Sequence, residues 1–598
     1  MVEKRLLERS HYNADVASLS VGSNVTVAGW VRKRRNLGSL IFVDLYDRTG
    51  ILQVVFDPER NPELMQAASE LTRETSLTVQ GKVGSRPPEA LNPDMITGKI
   101  ELIAESFTIH STSKLPPIQM TGGPESNEEL RLKYRYLDLR RPEMFKILNT
   151  RHQLYQVVRS FYVKNGFIEV TTPHLLRSTP EGARDFLVPS RLHPGSCYAL
   201  PQSPQMLKQI LMIAGFDRYF QIAKCFRDED SRADRQPEFS QIDVEMSFTS
   251  TETLFELHEC LMAEIFKKFH NIDVPSPFNR ITWDTAIDLY GSDKPDLRFN
   301  LEIVDITSIV KGSGIEFIDT AIDKGGVVRL VRYPGGSKLS QKQIQELENL
   351  AKQRGLKGMM AVKISSNGTI RGGIFGKSLS EEKQRAVLTH AKAGEDDILC
   401  VIAGDRLRVA AALGDIRLEI AERENLRSDA FEFVWVTDFP LLVYDDEEQR
   451  FFSEHHPFTA PKLEDLELLD IRPEKCRAQA YDLVLNGIEL GGGSVRIHQS
   501  ELQKKMFSLL GITEKSAQEQ FGFLLEALNY GTPPHCGIAF GLDRLVMILV
   551  GTNNLRDVIA FPKSLQAVCL MSQAPSAVTP EQLEIVGLQL KSDLKDRK

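Results

Sequence analysis

Gln241-Ile242-Asp243-Val244-Glu245-Met246-Ser247-Phe248 is the clearest strand in the chain. Successive strand side chains alternate between faces, so Ile242, Val244, Met246 and Phe248 point one way and Gln241, Asp243, Glu245 and Ser247 the other. A fully polar second face fits either an exposed sheet edge or the floor of a polar site, and these residues alone favour the edge. Upstream, Tyr219 to Phe226 is another strand-like run with Arg227 at its end. The charged segment Asp228 to Arg235 and the restart at Gln236-Pro237-Glu238-Phe239 predict a hairpin with a long loop. Taken alone, Phe226-Arg227-Asp228-Glu229 reads best as a solvated hairpin tip.

A second hairpin is predicted downstream. Asn486-Gly487 between two apolar runs is a strong two-residue turn signal. With those residues as the loop, Leu485 pairs with Ile488 and Val484 with Glu489, and Asp482 shares a face with Glu489. The two carboxylates are then diagonal neighbours, ~7–8 Å apart at the backbone. Such a pair suits magnesium, which takes carboxylate and phosphate oxygens; the alternative is two solvated acids. The flanking Leu483, Leu485 and Leu490 favour a buried hairpin, whose acids need a partner. Gly491-Gly492-Gly493-Ser494-Val495-Arg496 follows, and three glycines permit close backbone approach to a ligand or form a bulge. Gly537 to Phe540 reads as a strand broken by Gly541, then a helix with Leu542, Leu545, Val546 and Leu549 as its apolar stripe. Arg544 lies off that stripe in the first turn, where an arginine beside a helix N-terminus either makes an anion site or is a surface arginine.

The 598 residues allow three or four domains at ~150 residues each. A net charge of −8 gives no global sign of nucleic-acid binding, although a local basic patch is compatible with it. Seven cysteines without a Cys-x-x-Cys pair argue against a zinc site or disulfide framework and suit a reducing cytoplasm. No apolar run reaches a membrane span or marks a signal peptide. Short alternating bursts between about 20 and 110 (Val25 to Val27, Ile41 to Val43, Ile51 to Val55) suggest a small barrel. His110 to Glu129, rich in Ser, Pro and Gly, reads as a linker, and a helix with Leu154, Val157, Val158 and Phe161 follows until Gly166. Residues 300 to 420 read as a separate module without a chemical motif.

In combination these pieces resemble the class II aminoacyl-tRNA synthetases of subclass IIb, in their bacterial aspartyl branch, over nearly the whole chain. Gly166-Phe167-Ile168-Glu169-Val170-Thr171-Thr172-Pro173 resembles the first family motif, Phe226-Arg227-Asp228-Glu229 the second and Gly541-Leu542-Asp543-Arg544 the third. Each is weak alone; three in order are specific. The resemblance implies an α+β multidomain chain: an OB-fold anticodon-binding barrel (1–110), a hinge (111–140), an antiparallel catalytic core flanked by helices in two parts (141–299 and 423–565), an inserted α/β domain of the GAD type (300–422), also found in an amidotransferase subunit, and a C-terminal extension (566–598). It also implies a cytoplasmic homodimer joined through the first motif.

Gln202-Ser203-Pro204-Gln205-Met206-Leu207-Lys208 matches the family's aspartate pattern. The resemblance implies that Lys208 and Arg496 bind the substrate's side-chain carboxylate, with Ser203 and Gln205 in the pocket. Glu181, on the loop Thr179 to Asp185, and Asp243 would address its α-ammonium, and His455 of His455-His456-Pro457-Phe458 would touch it too. Arg227 would bridge the α-phosphate of ATP and the substrate carboxylate, and Arg544 would hold the γ-phosphate. Asp228, Glu229, Gln236, Glu489, Gly541, Leu542 and Asp543 would complete the ATP site, and Asp482 and Glu489 would hold Mg2+. In the barrel, Phe42 would stack on an anticodon base, Gln53 would read a base edge and Arg35 would contact the stem-loop. Without the resemblance, Phe42 reads as core and Arg32-Lys33-Arg34-Arg35 as a solvated basic run.

The implied reaction activates L-aspartate with ATP and transfers it to tRNA(Asp). The sequence leaves tRNA(Asn) open as a second substrate, although Leu37 rather than histidine before Gly38-Ser39 favours tRNA(Asp) alone. Two other classes remain: an ammonia-dependent asparagine synthetase on the same core, which the barrel disfavours, and a non-catalytic binding protein on a decayed scaffold, which intact Arg227, Arg544, Lys208, Arg496, Asp482 and Glu489 disfavour.

Overall fold

The computed structural model describes residues 8–120, 126–179, 183–230, 232, 234–365 and 368–591. These residues form two compact units. One comprises the N-terminal segment to residue 152 together with 556–577; the other comprises 153–230, 234–555 and 578–591.

The first unit contains a closed five-stranded barrel. Its strands are β1 (Asn24–Leu37), β2 (Leu40–Asp47), β3 (Gly50–Phe56), β4 (Ser76–Ser85) and β5 (Ile100–Ser111), in the order β1-β2-β3-β5-β4. Val25, Val27, Val31, Val43, Leu45, Leu52, Val54, Val79 and Leu102 fill its interior by simple alternation along the strands. Closure leaves no long unpaired edge. Beyond β5, within the hinge expected over 111–140, Arg135 is fully buried. It pairs with Asp138 at 2.5 Å and donates to the carbonyl oxygens of Arg556, Ile559 and Ala560. The stretch from Glu128 onward is therefore fixed structure rather than loose chain.

The second unit is organised by an eight-stranded sheet. Helix α1 (Pro142–Lys164) leads to the edge strand β6 (Ile168–Glu169), helix α2 (Gln205–Ile213) to the hairpin β7 (Arg218–Phe226) and β8 (Glu238–Ser247), and helix α3 (Thr251–His270) to β9 (Asn279–Thr282) and helix α4 (Trp283–Tyr290). A separate four-stranded sheet follows: β10 (Val304–Asp305), β11 (Val327–Tyr333), β12 (Met360–Lys363) and β13 (Ile398–Gly404), in the order β10-β11-β13-β12, with helix α5 (Arg406–Arg423) packed on it. The large sheet resumes with β14 (Phe433–Thr437), β15 (Ala480–Leu485), β16 (Ile488–Val495) and β17 (His535–Gly541), and helix α6 (Leu542–Val550) leaves from β17. Its order is β9-β14-β15-β16-β17-β8-β7-β6. The pairing is antiparallel except at both edges, where β9–β14 and β6–β7 are parallel, so the sheet is mixed rather than purely antiparallel.

Strand β8 corrects the edge reading. It lies inside the sheet between β17 and β7, and Asp243 and Glu245 on its polar face are wholly buried. Phe248 does not join the apolar face. The strand stops at Ser247, and Phe248 takes a left-handed φ of 49° and is 77% exposed. In the β15–β16 hairpin, Asn486 (φ 53°) and Gly487 (φ 83°) form the expected two-residue turn, and Val484 faces Glu489. The register then slips. Leu483 pairs with Gly491 and Asp482 with Gly492, which leaves Leu490 as an unpaired bulge residue.

Two glycines show how tightly this sheet is built. A Cβ on Gly492 would fall on the Asp482 carboxylate, and one on Gly537 would fall on both Glu245 Oε2 and the Val244 carbonyl oxygen. The second clash involves backbone that cannot move aside. Gly537→Ala is therefore expected to destabilise the sheet by ~1–3 kcal/mol, as overpacking does, and to lower the midpoint of thermal unfolding; an unchanged midpoint would contradict this packing.

Candidate functional site

The site lies on one face of the large sheet. At one level the cross-strand neighbours run Asp482, Gly492, Ala539, Asp243, Gln221; two residues along they run Ala480, Ser494, Gly537, Glu245, Tyr219. The two middle strands thus contribute Gly, Ala and Ser, where three of the four flanking positions, Asp482, Asp243 and Glu245, are carboxylates. Small side chains at the centre leave room for a ligand above a floor bounded by acids.

Helix α2 covers this floor. It begins directly after Pro204, and Gln205, Lys208 and Met212 lie on its buried face at i, i+3 and i+7. Lys208 Nζ pairs with Asp243 Oδ1 at 2.7 Å and Glu245 Oε2 at 3.4 Å. Arg496, just past β16, donates from Nε and Nη2 to the two Glu245 oxygens at 2.9 and 3.1 Å. Its Nη1 donates to Ser494 Oγ at 2.6 Å and to His456 Nε2 at 2.7 Å. Two cations and two anions, all buried, therefore balance one another. Burial pushes Asp243 above the usual carboxylate range despite Lys208. Burial also opposes ionisation of Glu245, but Arg496 and Lys208 outweigh it and hold this carboxyl low. Burial, reinforced by Arg496, depresses His456 well below the ordinary histidine range, so its ring is a neutral acceptor.

Several buried polar atoms lack a hydrogen-bond partner among the described residues: Asp243 Oδ2, Gln205 Nε2, Arg227 Nε and His455 Nδ1. Unsatisfied buried groups are costly, and all four residues line one cavity of about 350 Å3 together with Ser203, Lys208, Asp482 and Arg496. An acceptor, an amide donor and a guanidinium donor thus converge on an empty volume.

A second cavity of about 350 Å3 adjoins the first and shares Arg227, Gln241, Glu489 and Ala539 with it. Glu229, Gln236, Gly541, Asp543 and Arg544 also line it. The Arg227 guanidinium lies 5.2 Å over the Phe239 ring. Arg544, in the first turn of α6, donates to the Glu489 carbonyl oxygen at 2.6 Å. Asp543 accepts from Ser240 N at 2.7 Å, which fastens α6 to β8. Glu229 pairs with Arg235 at 3.0 Å. Two residues of the third and second motifs do not present side chains here: Leu542 is buried in the core, and Asp228 is exposed and faces Arg184 at 3.9 Å.

Asp482 and Glu489 both line the first cavity. Burial raises Asp482, with a further push from Glu489, against the His455 ring 3.8 Å away. Burial opposes Glu489 ionisation too, but Lys294 and Arg544 win and lower it. His455 is raised: burial opposes its protonation, and Asp482, Glu454 and Glu489 together outweigh it. No group of three or more His, Cys, Asp or Glu side chains suited to a metal occurs among the described residues, so a cation here would need ligand oxygens besides the pair. Glu181 lies outside the described residues. The loop beside it is anchored by Gln202, which donates to Ala183 O and Asp185 Oδ1. Glu245, His456 and Lys294 had no role in the sequence reading. Glu245 was legible on the polar face of β8, and His456 beside His455; nothing local marks Lys294.

In the barrel, three strands bring Arg35, Phe42 and Gln53 together. Arg35 pairs opposite Phe42 in the β1–β2 ladder, its guanidinium 6.0 Å from the Phe42 ring centre. Its Nη2 donates to Asp44 at 2.6 Å and Gln53 Oε1 at 3.1 Å, and Gln53 Nε2 donates to Glu101 at 2.8 Å. Phe42 is half-buried rather than core. All seven cysteines are free thiols, and no helix among the described residues is long and apolar enough to cross a membrane.

Residues 127–565 match the family model for tRNA synthetases class II (D, K and N), and residues 25–109 match that for the OB-fold nucleic acid binding domain. The chain is 50% identical over 585 residues to the aspartate--tRNA ligase of Ruminiclostridium cellulolyticum, with 98% of each chain covered. It is 51% identical over 589 residues to the aspartate--tRNA(Asp/Asn) ligase of a Geobacillus species, covering 98% of this chain and 99% of the relative. In fold it is similar to the asparaginyl-tRNA synthetase from Pyrococcus horikoshii complexed with asparaginyl-adenylate (TM-score 0.58, 19% identity, 94% of this chain and 99% of that one covered).

The buried quartet makes a direct prediction. Glu245→Gln leaves Lys208 and Arg496 facing Asp243 alone, and breaking a buried pair this way costs ~3–5 kcal/mol. A clear fall in the unfolding midpoint is expected by differential scanning calorimetry; a wild-type midpoint would show that Glu245 is not the anchor of Arg496.

Proposed function

The chain belongs to the class II tRNA synthetases, among the aspartate–tRNA ligases, and from that premise we propose how its residues perform the two half-reactions. Aspartate's α-carboxylate attacks the α-phosphate of ATP, giving aspartyl-adenylate and releasing pyrophosphate. The terminal adenosine hydroxyl of tRNA(Asp) then takes the aspartyl group and AMP leaves. No protein nucleophile is needed, so catalysis is positioning and charge stabilisation.

The observation that carries this reading is the junction of the two cavities at Arg227. A guanidinium there reaches a carboxylate in one cavity and a phosphate in the other. In the first cavity, Lys208 and the remaining Arg496 donor take the substrate's side-chain carboxylate, with Ser203 and Gln205 beside it. Asp243 Oδ2 accepts from the α-ammonium, in company with Glu181, and His455 closes the side toward Asp482. Because the quartet is already neutral, the net negative charge of aspartate is what offsets Arg227, and an amide in place of the side-chain carboxylate leaves that charge unbalanced, which gives selectivity against asparagine. In the second cavity, Glu229 and Gln236 hold the adenosine part and Arg544 the terminal phosphate. Gly541 gives the chain room, Leu542 contributes through its backbone, Asp543 positions α6, and Asp228 borders the loop.

The Asp482–Glu489 pair fits Mg2+ on two grounds. Its donors are hard oxygens, and Glu489 already attracts the Lys294 ammonium. When bound, the metal would neutralise phosphate charge during pyrophosphate release. Phe42, Arg35 and Gln53 form the anticodon face, where stacking contributes ~1–3 kcal/mol per base. For Gln53 to read a base edge, its amide exchanges Arg35 or Glu101 for the base. The protein works in the cytoplasm as a homodimer through the Gly166 to Pro173 motif.

Purified tRNA(Asp) and tRNA(Asn) charged side by side with labelled aspartate test the substrate range: charging of tRNA(Asp) alone is expected from Leu37, and equal rates would assign both. Arg227→Ala is expected to abolish aspartate-dependent pyrophosphate exchange, and retained exchange would refute its bridging role. Phe42→Ala is expected to weaken tRNA charging about tenfold, the ~1–3 kcal/mol of one stacked base, with exchange intact; equal loss of both would assign Phe42 to folding.

A further inference from the structure

We propose that Lys294 is a phosphate-binding residue of the ATP cavity, and that the inserted four-stranded module serves to hold it there through Arg417. This rests on reading the site as an ATP-dependent ligase. Lys294 sits on the segment Gly291 to Phe299, which leaves the catalytic sheet for the insertion. Its ammonium is 2.9 Å from Glu489 Oε2, and its half-buried side chain lines the cavity that holds Arg227 and Arg544. Lys294 joins Arg227, Arg235 and Arg544 around one volume, and converging cations suit a polyphosphate.

The segment that carries Lys294 is fixed at both ends by helix α5. At its start, Gly291 (φ 73°) packs directly on α5; a Cβ there would fall on Ala410 O and the Gly414 backbone. At its far end, the buried Arg417 guanidinium donates to Asp296 O and Leu301 O at 2.6 Å each and to Phe299 O at 3.3 Å. It lies 4.0 Å over the Phe299 ring and 5.0 Å over Tyr290. Asp296 also abuts Gly487 in the turn just before Glu489. A helix of the insertion therefore sets where Lys294 stands relative to Glu489. Among the described residues Arg417 forms no ion pair that competes with this role: its partners are the carbonyl oxygens of Asp296, Phe299 and Leu301 and the rings of Tyr290 and Phe299.

Lys294→Ala is expected to raise the ATP KM about tenfold or more in aspartate-dependent pyrophosphate exchange, as loss of one charge-assisted hydrogen bond does. The aspartate KM and the unfolding midpoint should stay near wild type, and Lys294→Arg should restore most of the effect. Calorimetric titration with ATP in EDTA should show the same loss of affinity without metal. Wild-type ATP KM and affinity in Lys294→Ala would overturn the proposal and leave Lys294 as a counter-charge to Glu489. Absence of exchange in the wild-type chain would overturn the ligase reading and this inference together. For Arg417, Arg417→Met should raise the ATP KM, and the double variant should add little beyond Lys294→Ala, because coupled residues are not additive. Should Arg417→Met fail to fold, Arg417→Lys serves the same cycle. Additive effects, or an unchanged ATP KM, would remove the positioning role.

Discussion

Everything at the centre of this molecule depends on keeping four charges buried together. Lys208, Asp243, Glu245 and Arg496 come from a helix, one strand and the end of another, and none is tolerable alone away from water. Their mutual pairing fixes the angle of helix α2 over the sheet and the direction of the chain as it leaves β16. The quartet is neutral as it stands. A dicarboxylate with an ammonium adds a single net negative charge, which the nearby Arg227 offsets. Selectivity then follows from charge balance in a desolvated volume rather than from shape alone.

The ATP side depends on the same sheet in a different way. There Lys294, Glu489 and Arg544 are half-exposed, Asp482 is buried, and the carboxylates are shared: Glu489 faces Lys294, Asp482 faces His455, and Arg544 holds the Glu489 backbone. Such a cluster can rearrange when phosphate or metal arrives, whereas the quartet cannot without exposing a buried ion. A rigid cavity for the proposed amino-acid substrate beside an adaptable one for the proposed phosphates suits a reaction that must recognise one substrate strictly and expel part of the other.

Much of this was legible in the sequence because local rules govern it. The Asn486-Gly487 turn, the apolar stripe of α6 and the barrel strands follow from turn chemistry and periodicity. The burial of β8 was not legible: alternation shows that Asp243 and Glu245 share a face, but not that Lys208 and Arg496, some 35 and 250 residues away, stand over it. Resemblance to a family supplied what periodicity could not, since it brought Lys208 and Arg496 into one pocket. Glu245 was missed because no substrate contact drew attention to it, although it touches both cations. Lys294 was missed because its partner, Glu489, lies across an insertion of more than a hundred residues.

The unpaired Leu490 has a consequence for how the two half-sites coexist. Glu489 on β16 and Arg496 just past its end are seven positions apart, an odd number, and strict alternation would send them to opposite sides of the sheet. The bulge adds one residue to the count and restores parity, so both reach the same cavity. The proposed nucleotide and amino-acid half-sites are thus joined by a single counting error in the ladder. Loss or gain of one residue between positions 489 and 496 would leave each side chain intact and still separate the two functions onto different faces of the protein.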